Sequence, residues 1–327
     1  MQFRVIRTTV FPHAPESMLP EERRILGDVD AEVVPVTCKT SGELAEAVHA
    51  ADAVIVSNVP VTNEVMAAMP ECRAIVTASI GFDHIDLAAA TARGIPVANV
   101  PDFCIREVAN HTMGLLLASA RKIVRLNNAL QDGRWDRTLF PPMPSIHGET
   151  LGLISFGRIA RQVALRARAF EMAVLAFDPY VDAATAAEFG VELVSLDELL
   201  RRSDYVSVHA PRTPETYHLL SRREFALMKP TAMIFNTGRG GVIDEPALAQ
   251  ALKEGKLAGA GIDVFEREPV AADNPLLGLE NVVLTPHAGG YSEESIRTVR
   301  QRAAEEVARI LRGERPRNLV NLDLYPS

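Results

Sequence analysis

Three residues late in the chain have the types needed to work on a carbonyl that sits beside a carboxylate. Arg239 follows the run AMIFNTG, Glu268 lies within DVFEREP, and His287 ends NVVLTPH. Each run reads as a short buried strand, and open α/β sheets bind ligands beyond the carboxyl ends of their strands. A histidine there exchanges a proton near neutral pH, and a neighbouring carboxylate raises its pKa and fixes its tautomer. A guanidinium offers a planar fork to a carboxylate. Reduction of such a carbonyl by hydride needs both groups: a proton for the developing alkoxide and a cation for the adjacent acid. Taken singly, each residue is an ordinary strand-end side chain. Three of them after successive strands make a candidate site.

A second group lies upstream, in LGLISFGRIARQVALRARAF. It reads as strand, tight turn and helix. Ser155, Gly157 and Ala160 occupy the three positions of the G-x-G-x-x-G/A turn, which brings pyrophosphate against a helix N-terminus. Serine at the first position departs from that pattern. Because serine disfavours positive φ, the expected turn keeps φ negative at Ser155. The next strand, AVLAFD, ends at Asp178. A carboxylate there accepts the ribose hydroxyls of NAD and repels the 2′-phosphate of NADP. The residues that follow are Pro179 and Tyr180, with no arginine to reverse that preference. The cofactor expected is NAD.

The elements that must position these residues recur along the chain. Strand candidates FRVIRTTV, AEVVPV, AVIVS, RAIVTA and PVANV alternate with helical stretches GELAEAVHA, TNEVMAAM and DLAAATARG. CIREVANHTMGLLLASARKIVRLNNAL reads as one long helix, and DGRWDRTLFPPMPSIHGET as an ordered connector. A second series then runs LGLISF, AVLAFD, VELV, DYVSVHA, AMIFNT, AGAGIDV and NVVLTPH. Alternation of this kind implies parallel sheets, because parallel neighbours need helical crossovers. Ser195–Glu198 and Ser221–Glu224 have the spacing of capping boxes, and Asp244 with Pro246 marks another helix start. The second series is complete in itself. The first lacks a helix unless the carboxyl-terminal segment SEESIRTVRQRAAEEVARILRG returns to it. The expectation is an α/β protein with a discontinuous domain, 1–103 and 290–327, around a continuous one, 104–289.

Composition bounds the alternatives. The chain has 327 residues, 47% of them hydrophobic, with 34 Lys and Arg against 42 Asp and Glu. That acidic balance disfavours a protein built to neutralise phosphates along a duplex, so no nucleic-acid partner is expected. No apolar run approaches the ~20 residues that span a bilayer. MQFRVIRTTVFP lacks the apolar core and cleavage site of a secretory leader. Cys38, Cys72 and Cys104 are odd in number and widely spaced, so neither a disulfide framework nor a metal site is implied. The expected location is cytoplasmic.

Together, LISFGRIA, Asp178, NTGRGGVIDEPAL, AGAGIDVFEREP and LTPHAGGYS resemble the D-isomer-specific 2-hydroxyacid dehydrogenases. SIGFDHIDLAAATARGIPVANVPDF and VANHTMGLLLASARK match that family's pattern in the amino-terminal part, so the likeness covers nearly the whole chain. It implies a Rossmann NAD-binding domain inserted in a flavodoxin-like substrate domain, with catalysis in the cleft and a homodimer joined through the cofactor domain. Carried over by position, Arg239 would bind substrate, His287 would be the general acid/base and Glu268 its partner. Ser79, Ile80 and Gly81 would hold the substrate carboxylate through backbone N–H groups. Gly157, Arg158, Ile159 and Asp178 would hold the dinucleotide. Ala210, Pro211, Thr237, Gly238, Asp263 and Gly289 would line its track, with Arg239 and His287 at the nicotinamide end. The implied activity is hydride transfer between NAD and a small 2-hydroxy or 2-keto acid such as glyoxylate or hydroxypyruvate.

Within the family, RQVALRARAF, ALAQALKEGKLAGA and PHAGGYSEES are most similar to the C-terminal-binding-protein branch, which implies an alternative role as an NAD-responsive interaction module. Gly290 and Thr77 depart from that branch, which has a tryptophan and an arginine there. The remaining polar residues read as bland. His111 and His209 are expected as packing or flanking residues, and Cys104 as a small buried side chain. Trp135 is expected to pin the connector, and the arginines of ARQVALRARAF to form a solvated face, with Arg158 able to reach phosphate.

Overall fold

Continuous apolar strands, buried on both faces, set the architecture. In the computed structural model, which describes residues 2–9 and 19–324, the chain forms two compact units, Met1–Phe103 with Ser292–Ser327, and Cys104–Tyr291. Val10, the last residue of the first expected strand, lies outside the described residues.

The first unit contains β1 (Phe3–Thr9), α1 (Pro20–Gly27), β2 (Ala31–Thr37), α2 (Ser41–Ala47) and β3 (Ala53–Val56). It continues with α3 (Asn63–Ala67), β4 (Ala74–Thr77), α4 (Leu87–Ala92) and β5 (Val97–Ala98). Its sheet runs β2-β1-β3-β4-β5 with every pair parallel, the flavodoxin-like order. β3 and β4 are buried at every position, as strands covered on both faces must be. Asp86 caps α4 through the Ala89 N–H at 2.9 Å, and Gly94, at φ +69°, follows its end. The carboxyl-terminal helix, Glu293–Leu311, supplies the helix this series lacks. Its Val299, Ala303, Ala304 and Val307 share one core with Val5, Ile55 and Val76, and it packs on α1, β3 and β4. Helix α1 was not signalled in the sequence: in PEERRILG only Ile25 and Leu26 are both apolar and buried.

The second unit opens with α5 (Ile105–Ala120) and α6 (Ile123–Gln131), followed by β6 (Thr150–Ile154), α7 (Arg158–Ala169) and β7 (Ala173–Phe177). Next come α8 (Ala183–Glu188), β8 (Glu192–Leu193), α9 (Leu196–Arg202) and β9 (Tyr205–Val208). The series ends with α10 (Arg222–Leu227), β10 (Met233–Asn236), α11 (Glu245–Lys253), β11 (Gly259–Ile262) and β12 (Val282–Leu284). The parallel sheet runs β12-β11-β10-β9-β6-β7-β8. Strand order therefore reverses between β6 and β9, as in a doubly wound dinucleotide fold, and that reversal opens a crevice at the strands' carboxyl ends.

Four local expectations are corrected. The long helix is two helices, separated at Lys122, whose φ of +54° turns the chain away from the face α5 buries. Trp135 pins nothing: its side chain is 89% exposed. Arg125 over the Phe140 ring, at 4.1 Å, and the His147–Glu171 pair, at 2.8 Å, tether the connector instead. The Ser221–Glu224 capping box forms as expected, its hydroxyl also meeting Asp244 at 2.7 Å. The Ser195–Glu198 box is only half used: the Ser195 hydroxyl accepts the Glu198 N–H at 3.3 Å, but the Glu198 carboxylate turns to Arg202 at 2.7 Å. The arginines of α7 are not simply a solvated face, since Arg161 donates to the Phe156 carbonyl, Arg166 to Asn110 and Arg168 to the Phe189 carbonyl. Among the described residues, no helix is long and apolar enough to cross a membrane.

Candidate active site

β10, β11 and β12 are adjacent and parallel, so the loops that leave them emerge side by side. Arg239 lies just beyond β10, Glu268 beyond β11 and His287 beyond β12. The β10 loop is gripped by Asn236, whose amide donates to the Arg239 carbonyl at 2.9 Å and accepts from the Gly238 N–H at 3.0 Å. Gly240 lets that loop press on the next: a Cβ there would lie 1.7 Å from the Phe265 carbonyl oxygen. No side chain fits, so the guanidinium loop and the Glu268 loop are in backbone contact.

His287 Nδ1 and Glu268 Oε2 are 2.7 Å apart, and Glu268 Oε1 accepts from the Phe265 N–H at 3.0 Å. The hydrogen bond to Glu268 raises the His287 pKa above its ordinary value; burial and the charge of Arg239 oppose it, and Asp263 adds to the rise. Burial pushes Glu268 upward, but its bonds to His287 and Phe265 prevail and its pKa is lowered. The proton of the pair thus resides on the imidazole, and with Nδ1 engaged, Nε2 is the nitrogen left to face a substrate. Replacing Glu268 by glutamine removes the hydrogen-bonded negative charge that raises the His287 pKa. The imidazole will then deprotonate at lower pH, a shift read directly by NMR titration of the histidine ring. An unmoved titration would mean that the two side chains do not interact in solution.

His287 itself has φ +52°, a left-handed conformation that costs a non-glycine residue roughly 1–2 kcal/mol and persists only where surroundings enforce it. Those surroundings are supplied by Asp263. Its carbonyl accepts the His287 N–H at 2.8 Å, while its carboxylate accepts the Ala288 N–H at 2.8 Å and the Gly289 N–H at 2.9 Å. Burial works against this carboxylate, yet the donors around it win and hold its pKa low. A Cβ on Gly289 would stand 2.8 Å from that carboxylate, which is why glycine occupies the position. Sequence reasoning placed Asp263 and Gly289 on the cofactor track; the structure commits them to the backbone that displays His287.

At the strand-order reversal, Gly157 caps α7 without offering a side-chain acceptor, and a Cβ added there would meet nothing within 4 Å. Open space before uncapped helix N–H groups at Arg158 and Ile159 suits a pyrophosphate. Asp178 ends the neighbouring strand. Its Oδ2 accepts from the Phe156 N–H at 2.8 Å and the Ser155 hydroxyl at 3.3 Å, and its Oδ1 from the Tyr180 N–H at 2.8 Å. A carboxylate has about four lone-pair sites, so with three donors in place one remains for a ribose hydroxyl. The chemistry of this donor and acceptor set fits a dinucleotide. The expectation for Ser155 is overturned: its φ is +70°. Only a left-handed residue there carries the Phe156 N–H to Asp178 while its own N–H bonds the Phe177 carbonyl at 2.8 Å.

The other predicted residues are placed as follows. Ala210 is buried at the end of β9, Pro211 is exposed beside it, and the Thr237 hydroxyl bonds that of Thr112 at 2.7 Å. In the first unit, the carbonyls of Ser79, Ile80 and Gly81 accept from Val100, Asn99 and the Ser79 hydroxyl, committing the C=O side of that loop to the fold. Thr77 is buried and bonds the Ser79 hydroxyl at 2.7 Å. Cys104 is buried as expected, its pKa pushed up to about 12 by desolvation, and its Sγ would lie 3.2 Å from a Cβ on Gly290. Burial lowers His209 to about 4, leaving it neutral. His111 is hydrogen-bonded as expected, to Thr285 at 2.9 Å. Sequence reasoning missed Thr112, Thr285 and Asn236, common residues with no motif signal, and a second imidazole–carboxylate pair, His218–Glu266, at 2.8 Å on the loop that carries Glu268.

Comparison with known proteins agrees with this geometry. Residues 113–289 match the family model described as the NAD binding domain of D-isomer specific 2-hydroxyacid dehydrogenases. The chain is 45% identical over 306 residues to D-3-phosphoglycerate dehydrogenase of Methanocaldococcus jannaschii, covering 93% of this chain but only 58% of that one. It is 43% identical to glyoxylate reductase of Korarchaeum cryptofilum, over 81% of each chain. Among solved structures, D-lactate dehydrogenase from Aquifex aeolicus, complexed with NAD and lactic acid, superposes with a TM-score of 0.85 at 30% identity, covering 98% of this chain and 97% of that one. The strand orders, the strand-end residues and these matches lead to one conclusion: the chain belongs to the D-isomer specific 2-hydroxyacid dehydrogenase family, with an NAD-binding Rossmann domain as its second unit.

Proposed function

We propose that the protein transfers hydride between NAD(H) and a small 2-keto or 2-hydroxy acid of glyoxylate or hydroxypyruvate size. The observation that carries this reading is the His287–Glu268 contact of 2.7 Å beside Arg239, on the ends of three adjacent strands. The nicotinamide cofactor, when bound, supplies or accepts the hydride. Arg239 holds the substrate carboxylate and the carbonyl oxygen. His287 Nε2 gives its proton to that oxygen as negative charge develops, and takes it back in the oxidative direction. Glu268 keeps the imidazole protonated and oriented. Glyoxylate needs one cation, the role this reading gives to Arg239; a phosphorylated acid needs further positive charge.

The test is NADH oxidation with glyoxylate, hydroxypyruvate, pyruvate and a phosphorylated three-carbon keto acid. Turnover that vanishes in His287→Ala supports the proposal. Tight NAD binding with no turnover on any acid would sink it and favour the interaction-module alternative. Cofactor choice has its own test. Asp178→Ala will lower the ratio of NAD to NADP affinity by roughly tenfold or more, because a hydrogen bond to a charged group contributes about 1.5–3 kcal/mol to NAD alone and the 2′-phosphate of NADP is no longer repelled. An unchanged ratio contradicts the assignment of Asp178.

The same reading includes a homodimer formed through the cofactor domain. Ile123, Val124, Leu130 and Trp135 are exposed along α6 and the connector, an apolar surface of the kind that a partner copy covers. Trp135 is the single tryptophan, so its emission reports on that surface alone. A dimer by light scattering, with blue-shifted emission that moves to the red in Leu130→Glu, is the expected result. A monomer with solvent-like emission at all concentrations excludes it.

A further inference from the structure

We propose that His111 and Thr112, adjacent on α5, are positioning residues that fix the spacing between the Arg239 loop and the His287 loop. The inference rests on the reading of those two side chains as the reacting pair.

Two chains of hydrogen bonds leave α5 from neighbouring residues. Thr112 is fully buried and donates to the Val108 carbonyl at 2.8 Å, so its oxygen accepts from the Thr237 hydroxyl at 2.7 Å. Thr237 lies two residues before Arg239, in the β10 loop. Thr285 donates to Asp263 Oδ1 at 2.6 Å, so its oxygen accepts at 2.9 Å from His111, whose Nε2 therefore carries the proton. The same nitrogen is 3.4 Å from Asp263 Oδ1. Asp263 in turn takes the N–H groups of His287, Ala288 and Gly289, the segment in which His287 adopts its left-handed backbone.

A strained, displayed imidazole keeps its place only if its frame is over-determined, and α5 is the outer member of that frame. Because the helix is rigid, residues 111 and 112 tie both loops to one ruler. Gly289 belongs to the same arrangement, since a Cβ there would also crowd His111 Cδ2 at 3.4 Å. A group misplaced by about 1 Å costs on the order of 10²-fold in rate, so loss of one tie should be visible in turnover before it is visible in binding.

The experiment compares His111→Leu, His111→Gln, Thr285→Val and the His111→Leu/Thr285→Val double variant in the full chain. The readouts are kcat, KM, NADH affinity and NMR titration of the His287 ring. His111→Leu and Thr285→Val should each lower kcat by about tenfold or more with NADH affinity within about twofold. The double variant should lose little more than the worse single, because both cut one chain. His111→Gln keeps a donor and should recover most of the rate. In the leucine and valine variants the ring should titrate at lower pH, because a loosened loop weakens the contact to Glu268. Additive losses, no rescue by glutamine, or an unmoved titration would overturn the proposal. Should His111→Leu fail to fold, the near-isosteric Thr285→Val decides alone. The ring titration does not depend on turnover: an inactive wild type with a variant-sensitive titration sinks the proposed activity and leaves the positioning role standing.

Discussion

His287→Ala will reduce keto-acid turnover by roughly 10²–10⁴-fold, the range in which a positioned general acid contributes, with NADH affinity nearly unchanged. In the proposed reaction the imidazole is the proton source, and its Nδ1 is held by Glu268 at 2.7 Å. In the variant the alkoxide must take its proton from water. Because Glu268 raises the His287 pKa, the donor form persists to higher pH than for an ordinary histidine. The reduction rate should therefore fall on the alkaline side, above about 6.5, and the wild-type limb should be absent in the alanine variant. The raised pKa also gives the pair a pH-dependent share in stability. That share is full below the histidine's unfolded pKa and is lost as pH rises through the folded one. The Glu268 carboxylate, whose pKa is lowered, contributes above its unfolded value and loses this on acidification. A residual rate above about one tenth of wild type would remove His287 from the reaction.

Arg239→Ala should be nearly as damaging. Hydrogen bonds to a charged group contribute about 1.5–3 kcal/mol each, so losing a two-pronged contact predicts a fall in kcat/KM of roughly 10²–10⁴-fold. Arg239→Lys keeps the charge without the fork and should recover only part of it. A second signature separates this variant from Glu268→Gln. The charge of Arg239 lowers the His287 pKa, so its removal lets that pKa rise, whereas Glu268→Gln lowers it. Two variants that both slow the reaction should thus move its alkaline limb in opposite directions. Limbs that move together would mean that the guanidinium and the carboxylate do not act on the same imidazole.

The parallel sheets were legible because β-branched runs such as AVIV and AIVT can only be strands buried on both sides, and caps such as Asp86 and Asp244 mark the helices between them. The candidate site was legible only as a set: one polar residue past such a run is ordinary, whereas Arg239, Glu268 and His287 follow three successive strands within motifs that resemble one family. What escaped notice depends on three-dimensional neighbours. Half of helix α1 is charged, and its buried Glu22 makes sense only opposite Arg7, 3.0 Å away on β1. The left-handed backbone at Ser155 follows from the position of Asp178, over twenty residues later in the chain. His111 and Thr112 look like packing residues until Thr285 and Thr237 are brought to them by β12 and β10. Trp135 invited a structural role because tryptophan usually buries its ring, and here it does not.

The helix Glu293–Leu311 has a consequence for biosynthesis. It completes the core around Ile55 and Val76, yet it emerges from the ribosome about 190 residues after the first unit's last strand. Until then, the inner strands of that sheet wait half-covered while the intervening unit can already collapse on its own. The core of the first unit therefore closes only when the last long helix arrives, whereas the unit between can close from its own continuous segment.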